Sequence, residues 1–259
     1  MYETVRTETD ARGVATLWLA RSEKHNAMSA QMLADLVAAA KALDADDRVR
    51  VVVLAAEGKS FCAGGDLAWM RAQFEMDAAT RKRESAKLST MLQALDTLAK
   101  PLIGRVQGNA FGGGMGLMSV CDVVIAEEGA KFGFTETRLG LIPANIGPFA
   151  LKRMGPAMAR RVFMSARIFD AAEAMALGLV ARAVPAADLD AAVAAEVAPY
   201  LACAPGAVAE AKALIRALGG GVSQDEMDFA AGALAERWES AEAQEGIAAF
   251  FDKRKPGWA

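Results

Sequence analysis

Hydrophobic and polar positions alternate over residues 2–19, break at Asp10-Ala11-Arg12-Gly13, and resume as Val14, Thr16 and Trp18, which predicts a β-hairpin at the head of the chain. After a polar loop (21–27), Met32, Leu33, Leu36, Val37 and Ala40 recur at helical spacing over residues 29–43, with Ser29 as the cap. Residues 49–55 form a continuous β-branched run, expected of a strand buried on both faces. The loop 57–66 then leads to a long helix over 79–99. Its Leu88, Met91, Leu92, Leu95 and Leu98 share one face until Pro101 breaks the pattern. A strand (101–107), a glycine-rich turn (108–116), a short helix (117–120) and a strand (123–126) follow. The repetition of strand, loop and helix predicts a layered α/β architecture with crossover connections. From about Asn145 onward the pattern is almost entirely helical, with Asp170 capping residues 171–177 and Gly178 ending that turn. The reading divides the chain softly into an α/β core carrying the active site (1–190) and a helical C-terminal region (191–259).

A chain of 259 residues that is 54% hydrophobic can bury a large core without staples. Cys62, Cys121 and Cys203 form neither a C-x-x-C pair nor an even disulfide framework, so a reducing, cytoplasmic setting is expected. The N-terminus lacks a basic stretch leading into an apolar one, which argues against a signal peptide. No apolar run approaches the roughly 18 residues of a membrane span. The net charge of −3 provides no field for nucleic acid, and Arg81-Lys82-Arg83 and Lys253-Arg254-Lys255 read as solvated helix faces.

Several chemistries lack their residues. His25 is the only histidine, and no G-x-S-x-G turn is present to make a Ser-His-Asp triad; zinc-ligand spacing is also missing, so no metal is expected. His25 is read as structural. The turn Phe111-Gly112-Gly113-Gly114-Met115-Gly116 fits neither G-x-G-x-x-G nor a P-loop. Consecutive glycines between a strand and a helix do permit close backbone approach, with free N–H groups at the helix start. Ser60-Phe61-Cys62-Ala63-Gly64-Gly65-Asp66 is a second turn of this kind. Two readings stand for the pair: tight connections only, or facing turns whose N–H groups converge on one carbonyl oxygen.

The ordered motifs Arg21-x-x-x-x-Asn26-Ala27-Met28, Phe61-Cys-Ala-Gly-Gly-Asp66-Leu67, Phe111-Gly-Gly-Gly-Met-Gly116 and Phe134-Thr-Glu136-Thr-Arg138-Leu-Gly140-Leu-Ile-Pro143 resemble the crotonase (enoyl-CoA hydratase/isomerase) superfamily over nearly the whole chain. The resemblance implies a spiral of ββα units with a helical C-terminal trimerisation region, a homotrimer or homohexamer, and a coenzyme A thioester as substrate with no covalently bound cofactor. It implies oxyanion-binding N–H groups at Ala63 and Gly113 and a catalytic Glu136. Lys24, Ala27, Gly64, Asp66 and Leu67 would cradle the coenzyme. Phe250 and Lys253 would approach it at the C-terminal end, from the same or a neighbouring subunit. Trp69, Gly112, Gly116 and Arg138 complete the implied substrate site, with the helix 79–99 and a loop around Trp69 shaping the acyl pocket. For Glu136 alone, an ion pair with Arg138 or a solvated loop end is the competing reading.

One departure bears on the chemistry. Two-glutamate hydratases carry a second glutamate three residues beyond the middle glycine, where this chain has Gly116. The surrounding sequence is most similar to the bacterial methylglutaconyl-CoA hydratase-like branch, where glycine at this place is usual. That implies hydration of a branched or carboxylated enoyl-CoA, in leucine or isoprenoid catabolism, with Arg138 or Arg105 pairing a substrate carboxylate unless either forms a structural salt bridge. A Δ3,Δ2-enoyl-CoA isomerase using the single glutamate, and an inactive acyl-CoA-binding or scaffold protein, are the alternatives.

Overall fold

The structure, a computed structural model, describes residues 2–259. The expected hairpin forms from β1 (Val5–Thr9) and β2 (Val14–Leu19), paired antiparallel. Then come α1 (Ala30–Ala45), capped by the Ser29 side chain on the Met32 N–H, and β3 (Val51–Ala56), buried at every position. From here each unit sends one strand to each of two sheets before turning into a helix. The first unit is β3, β4 (Ser60–Cys62), α2 (Leu67–Phe74) and α3 (Ala78–Asp96). The second is β5 (Leu102–Val106), β6 (Asn109–Phe111) and α4 (Gly113–Val120). The third is β7 (Val123–Glu127), β8 (Lys131–Gly133), a 3-10 turn (Glu136–Leu139) and α5 (Gly147–Val162). β9 (Phe169–Asp170), α6 (Ala171–Ala176) and β10 (Arg182–Val184) close the sheets.

The result is a spiral of ββα units around a six-stranded sheet, β1-β2-β3-β5-β7-β10, parallel except at its hairpin, and a four-stranded sheet, β4-β6-β8-β9. The large sheet is covered on both faces, as a parallel sheet must be. Val52 and Leu54 face the main core with Leu36 and Leu95, while Val51, Val53, Ile103 and Ile125 pack against Leu189, Val193 and Val197 of α7 (Leu189–Leu201).

α8 (Pro205–Gly219), α9 (Gln224–Trp238) and α10 (Ala241–Phe251) complete the chain. α10 crosses the 3-10 turn closely enough that a Cβ on Gly140 would lie 2.4 Å from the Glu242 carbonyl oxygen, and one on Gly246 would lie 2.5 Å from the Leu139 carbonyl. Gly140 also sits at φ +69, where glycine alone is unstrained.

Five expectations are corrected here. The chain beyond Asn145 is not purely helical, because β9 and β10 each add a strand. β4 and β6 lie inside the stretches read as loop and turn, and α4 begins at Gly113 rather than at Leu117. Trp69 stands on a helix, α2, not on a loop. Arg81 is no solvated charge: at 5% exposure it donates from Nε to the Gln73 carbonyl (2.7 Å) and from its other nitrogens to Phe74 and Met76 carbonyls, pairs with Glu239, and lies over the Trp238 ring.

Candidate active site

The parallel part of the small sheet builds the site. β4, β6 and β8 lie side by side, so the turn after β4, the turn after β6 and the segment after β8 emerge together at one edge. These carry Gly64 and Gly65, Gly112 and Gly113, and Glu136. A Cβ placed on Gly112 (φ +48) would lie 3.4 Å from Glu136 Oε1 and 3.8 Å from the Gly64 Cα, which measures how closely the three segments converge. Any side chain at residue 112 would fill the space between the turns and the carboxylate.

A cavity of about 520 Å³ opens on this junction. Of the expected residues, Ala63, Gly64, Leu67, Trp69, Gly112, Gly113, Glu136, Arg138 and Phe250 line it. Phe250 reaches it from the same chain, together with Leu234 and Trp238 of α9, so the site is not confined to residues 1–190. Glu136 is the only carboxylate lining it among the described residues, and Arg138, which makes no ion pair among them, leaves Glu136 without a salt bridge.

The backbone donors require a correction. The Ala63 N–H is already spent on the His25 carbonyl (3.0 Å). The loop 25–28 zips onto the turn: the Met28 N–H donates to the Gly64 carbonyl (2.8 Å) and the Asp66 N–H to the Met28 carbonyl (2.9 Å). This parallel bridge leaves the Gly65 N–H without an acceptor among the described residues. The Gly113 N–H, at the first position of α4, also has none. Gly65 lines the cavity, so the free pair is Gly65 and Gly113 rather than Ala63 and Gly113. The bridge register at Met28 decides this, and nothing in the local sequence announces it.

The motif around Asn26 proves to be scaffolding. Asn26, fully buried at φ 53, donates to the carbonyls of Glu57 (2.8 Å) and Ser60 (2.9 Å) and accepts from the Arg21 N–H. Arg21 spans the Ala27 carbonyl (2.9 Å) and Asp66 (3.0 Å). Asp66 caps α2 through the Ala68 and Trp69 N–H groups. Burial alone would raise its pKa, but those N–H groups and Arg21 outweigh burial and hold the carboxyl below its usual range. Asp66, Lys24 and Ala27 therefore do not line the cavity: Asp66 shapes the turn, Lys24 is exposed in the turn Ser22–Lys24, and the Ala27 carbonyl is occupied by Arg21. Lys253 also stands outside it, exposed at φ 54 beyond α10. Arg105 is committed elsewhere, to Asp190 at 2.6 Å.

Glu136 is held for proton transfer. Its Oε2 is shut off from solvent with no hydrogen-bond partner, and burial, only partly offset by a bond from its own N–H, pushes its pKa up to about 7. A carboxyl poised there both accepts and returns a proton near neutrality. Gly116 does not border the cavity. A Cβ there would lie 2.7 Å from Ile146 Cγ2 and 3.0 Å from Leu92 Cδ1, so Ile146, which does line the cavity, occupies the space a side chain at 116 would enter.

Residues 9–259 match the family model described as enoyl-CoA hydratase/isomerase. A crystal structure of an enoyl-CoA hydratase from Shewanella pealeana is similar over 100% of this chain and 97% of its own, at 37% identity and a TM-score of 0.82. Another, from Mycobacterium avium, covers 100% of both chains at 32% identity and a TM-score of 0.88. Mouse mitochondrial methylglutaconyl-CoA hydratase is 34% identical over 175 residues, 67% of this chain and 55% of that protein.

Two expected outcomes follow from the packing and the buried acid. Gly116→Glu should lower stability by about 3 kcal/mol, read as a shift in the urea midpoint, because the side chain has no space against Ile146 and Leu92. Since burial favours neutral Glu136, its stabilising contribution is fully present below pH 4.5 and is lost as pH rises through about 7. Glu136→Gln should accordingly be more stable than the parent by about 2 kcal/mol at pH 8 and show no gain at pH 4.5, as followed by denaturant titration.

Proposed function

Because the chain belongs to the enoyl-CoA hydratase/isomerase family, we propose that it adds water across the double bond of a 2-enoyl-CoA, with Gly65 and Gly113 holding the thioester oxygen and Glu136 moving the proton. The observation that carries this is the meeting of two free N–H groups with one carboxyl of pKa about 7 at the end of the small sheet.

Ionised Glu136 takes a proton from water, and the resulting hydroxide bonds to the β-carbon. The π electrons move to the α-carbon and thioester oxygen, where the N–H donors stabilise the enolate; loss of one such donor typically costs about 3 kcal/mol. Glu136, now protonated, delivers its proton to the α-carbon, restoring the carboxylate. One group performs both steps, so the absent second carboxylate is no obstacle.

The single carboxylate also supports a second reading, a Δ3,Δ2-enoyl-CoA isomerase, in which Glu136 moves one proton between carbons without consuming water. For the acyl group we propose a branched or carboxylated chain of the methylglutaconyl type. The name of the mouse relative supports that choice, and Arg138, at the cavity without an acid partner among the described residues, adds positive charge to the chamber as a whole. We further propose assembly as a homotrimer or homohexamer. α8 buries none of its residues, and it leaves Leu214, Ile215 and Leu218 at 57%, 71% and 81% exposure.

With purified protein, a 2-enoyl-CoA should lose its conjugated absorbance and gain oxygen from labelled water. Conversion of a 3-enoyl-CoA without label uptake as the main activity would establish the isomerase instead. Glu136→Gln should lower kcat/KM by about 10³-fold, and in the parent kcat/KM should fall as pH drops below about 7, where the base becomes protonated. Light scattering should give three or six times the monomer mass; a monomer would refute the assembly.

A further inference from the structure

The wall of the cavity formed by α2 and α3 carries hydrogen-bonding groups that nothing in the chain satisfies. Gln73, at 4% exposure, lines the cavity, and its side-chain amide makes no hydrogen bond among the described residues. Ser85, also at 4%, lines it too. Its Oγ accepts from Asn145 Nδ2 at 2.6 Å, which fixes one lone pair and leaves its own proton without an acceptor among the described residues. Asn145 presents its Nδ2 to Ser85, donating as well to the Ser85 carbonyl at 3.0 Å, and turns its Oδ1 toward the Ser89 hydroxyl, so it is not that acceptor. Trp69, one turn before Gln73 on the same helix face, has an indole N–H shut off from solvent and unpaired.

Unmet buried donors are costly, about 1–3 kcal/mol each, and a purely apolar acyl chain would leave all three unmet. Of the remaining lining here, Met70, Leu88 and Ile146 are apolar, and the Asn145 Oδ1 is directed to the Ser89 hydroxyl. Indole is donor only, the Ser85 hydroxyl with one lone pair taken still has its proton to give, and the Gln73 amide can turn its two N–H bonds rather than its oxygen toward a ligand. Such a set fits an oxygen that accepts several bonds at once.

We propose that Gln73, Ser85 and Trp69 form a subsite for a carboxylate on the distal end of the acyl chain. The subsite rests on the reading of the cavity as an acyl-CoA pocket, and it makes these three side chains specificity-determining while Glu136 and the glycine turns act at the other end of the acyl group.

The test uses binding of saturated thioesters to the full-length protein, so it is independent of turnover. Glutaryl-CoA is compared with its apolar isostere 5-methylhexanoyl-CoA by titration calorimetry. The parent should bind glutaryl-CoA about tenfold more tightly. Gln73→Met and Ser85→Ala should each erase most of that preference while leaving 5-methylhexanoyl-CoA within about twofold, and Trp69→Phe should act in the same direction. Equal affinity in the parent overturns the subsite, as does a preference that survives all three substitutions. An equal loss for both ligands would mark the residues as packing only and also overturn it. Failure of both thioesters to bind would instead sink the acyl-CoA reading on which the subsite rests.

Discussion

The site depends on the parallel pairing of three very short strands. β4, β6 and β8 contribute three residues each, yet their ladder brings the chain segments that follow them to adjacent places at one edge of a sheet. Parallel strands lie about 4.8 Å apart, so two glycine turns and a carboxyl separated by some 70 residues of chain are neighbours as soon as the ladder forms. The rest of the fold holds that ladder still. The large sheet anchors the preceding strand of each pair, and the loop from Arg21 to Met28 laces onto the first turn through backbone bonds.

The same lacing decides which amides remain free. A peptide bonded to the His25 carbonyl is scaffold, whereas the peptide two residues on faces the cavity with its hydrogen unclaimed. A comparable division applies to side chains. Asn26, Arg21 and Asp66 are polar groups saturated by backbone and by each other. Glu136 is a polar group left incompletely satisfied, and its raised pKa is the energetic mark of that state. Stability and chemistry are thus assigned to different polar residues within a few ångströms.

Much of the architecture was legible in the sequence wherever an element was long enough for its periodicity to show: the hairpin, α1, β3, α3 and β5 stand close to their expected places. Three-residue strands carry no period, so β4, β6 and β10 were hidden in apparent loops and helices. Glu136 and the glycine turns were readable as motifs in order. The choice between Ala63 and Gly65 was not, since it follows from a bridge to Met28 formed across 37 residues. Gln73 also gave no sign: on a helix of mixed polarity, an amide turned inward looks the same as one turned to water.

Arg81 carries a consequence for the size of the acyl group. Its guanidinium fastens the carbonyls at the end of α2 to Glu239 and stacks on Trp238, so the wall bearing Trp69 and Gln73 cannot swing outward by itself. An oversized chain would have to tear that clasp or drag α9 along with it. That wall is therefore tied to α9 by a cation that does not itself line the chamber.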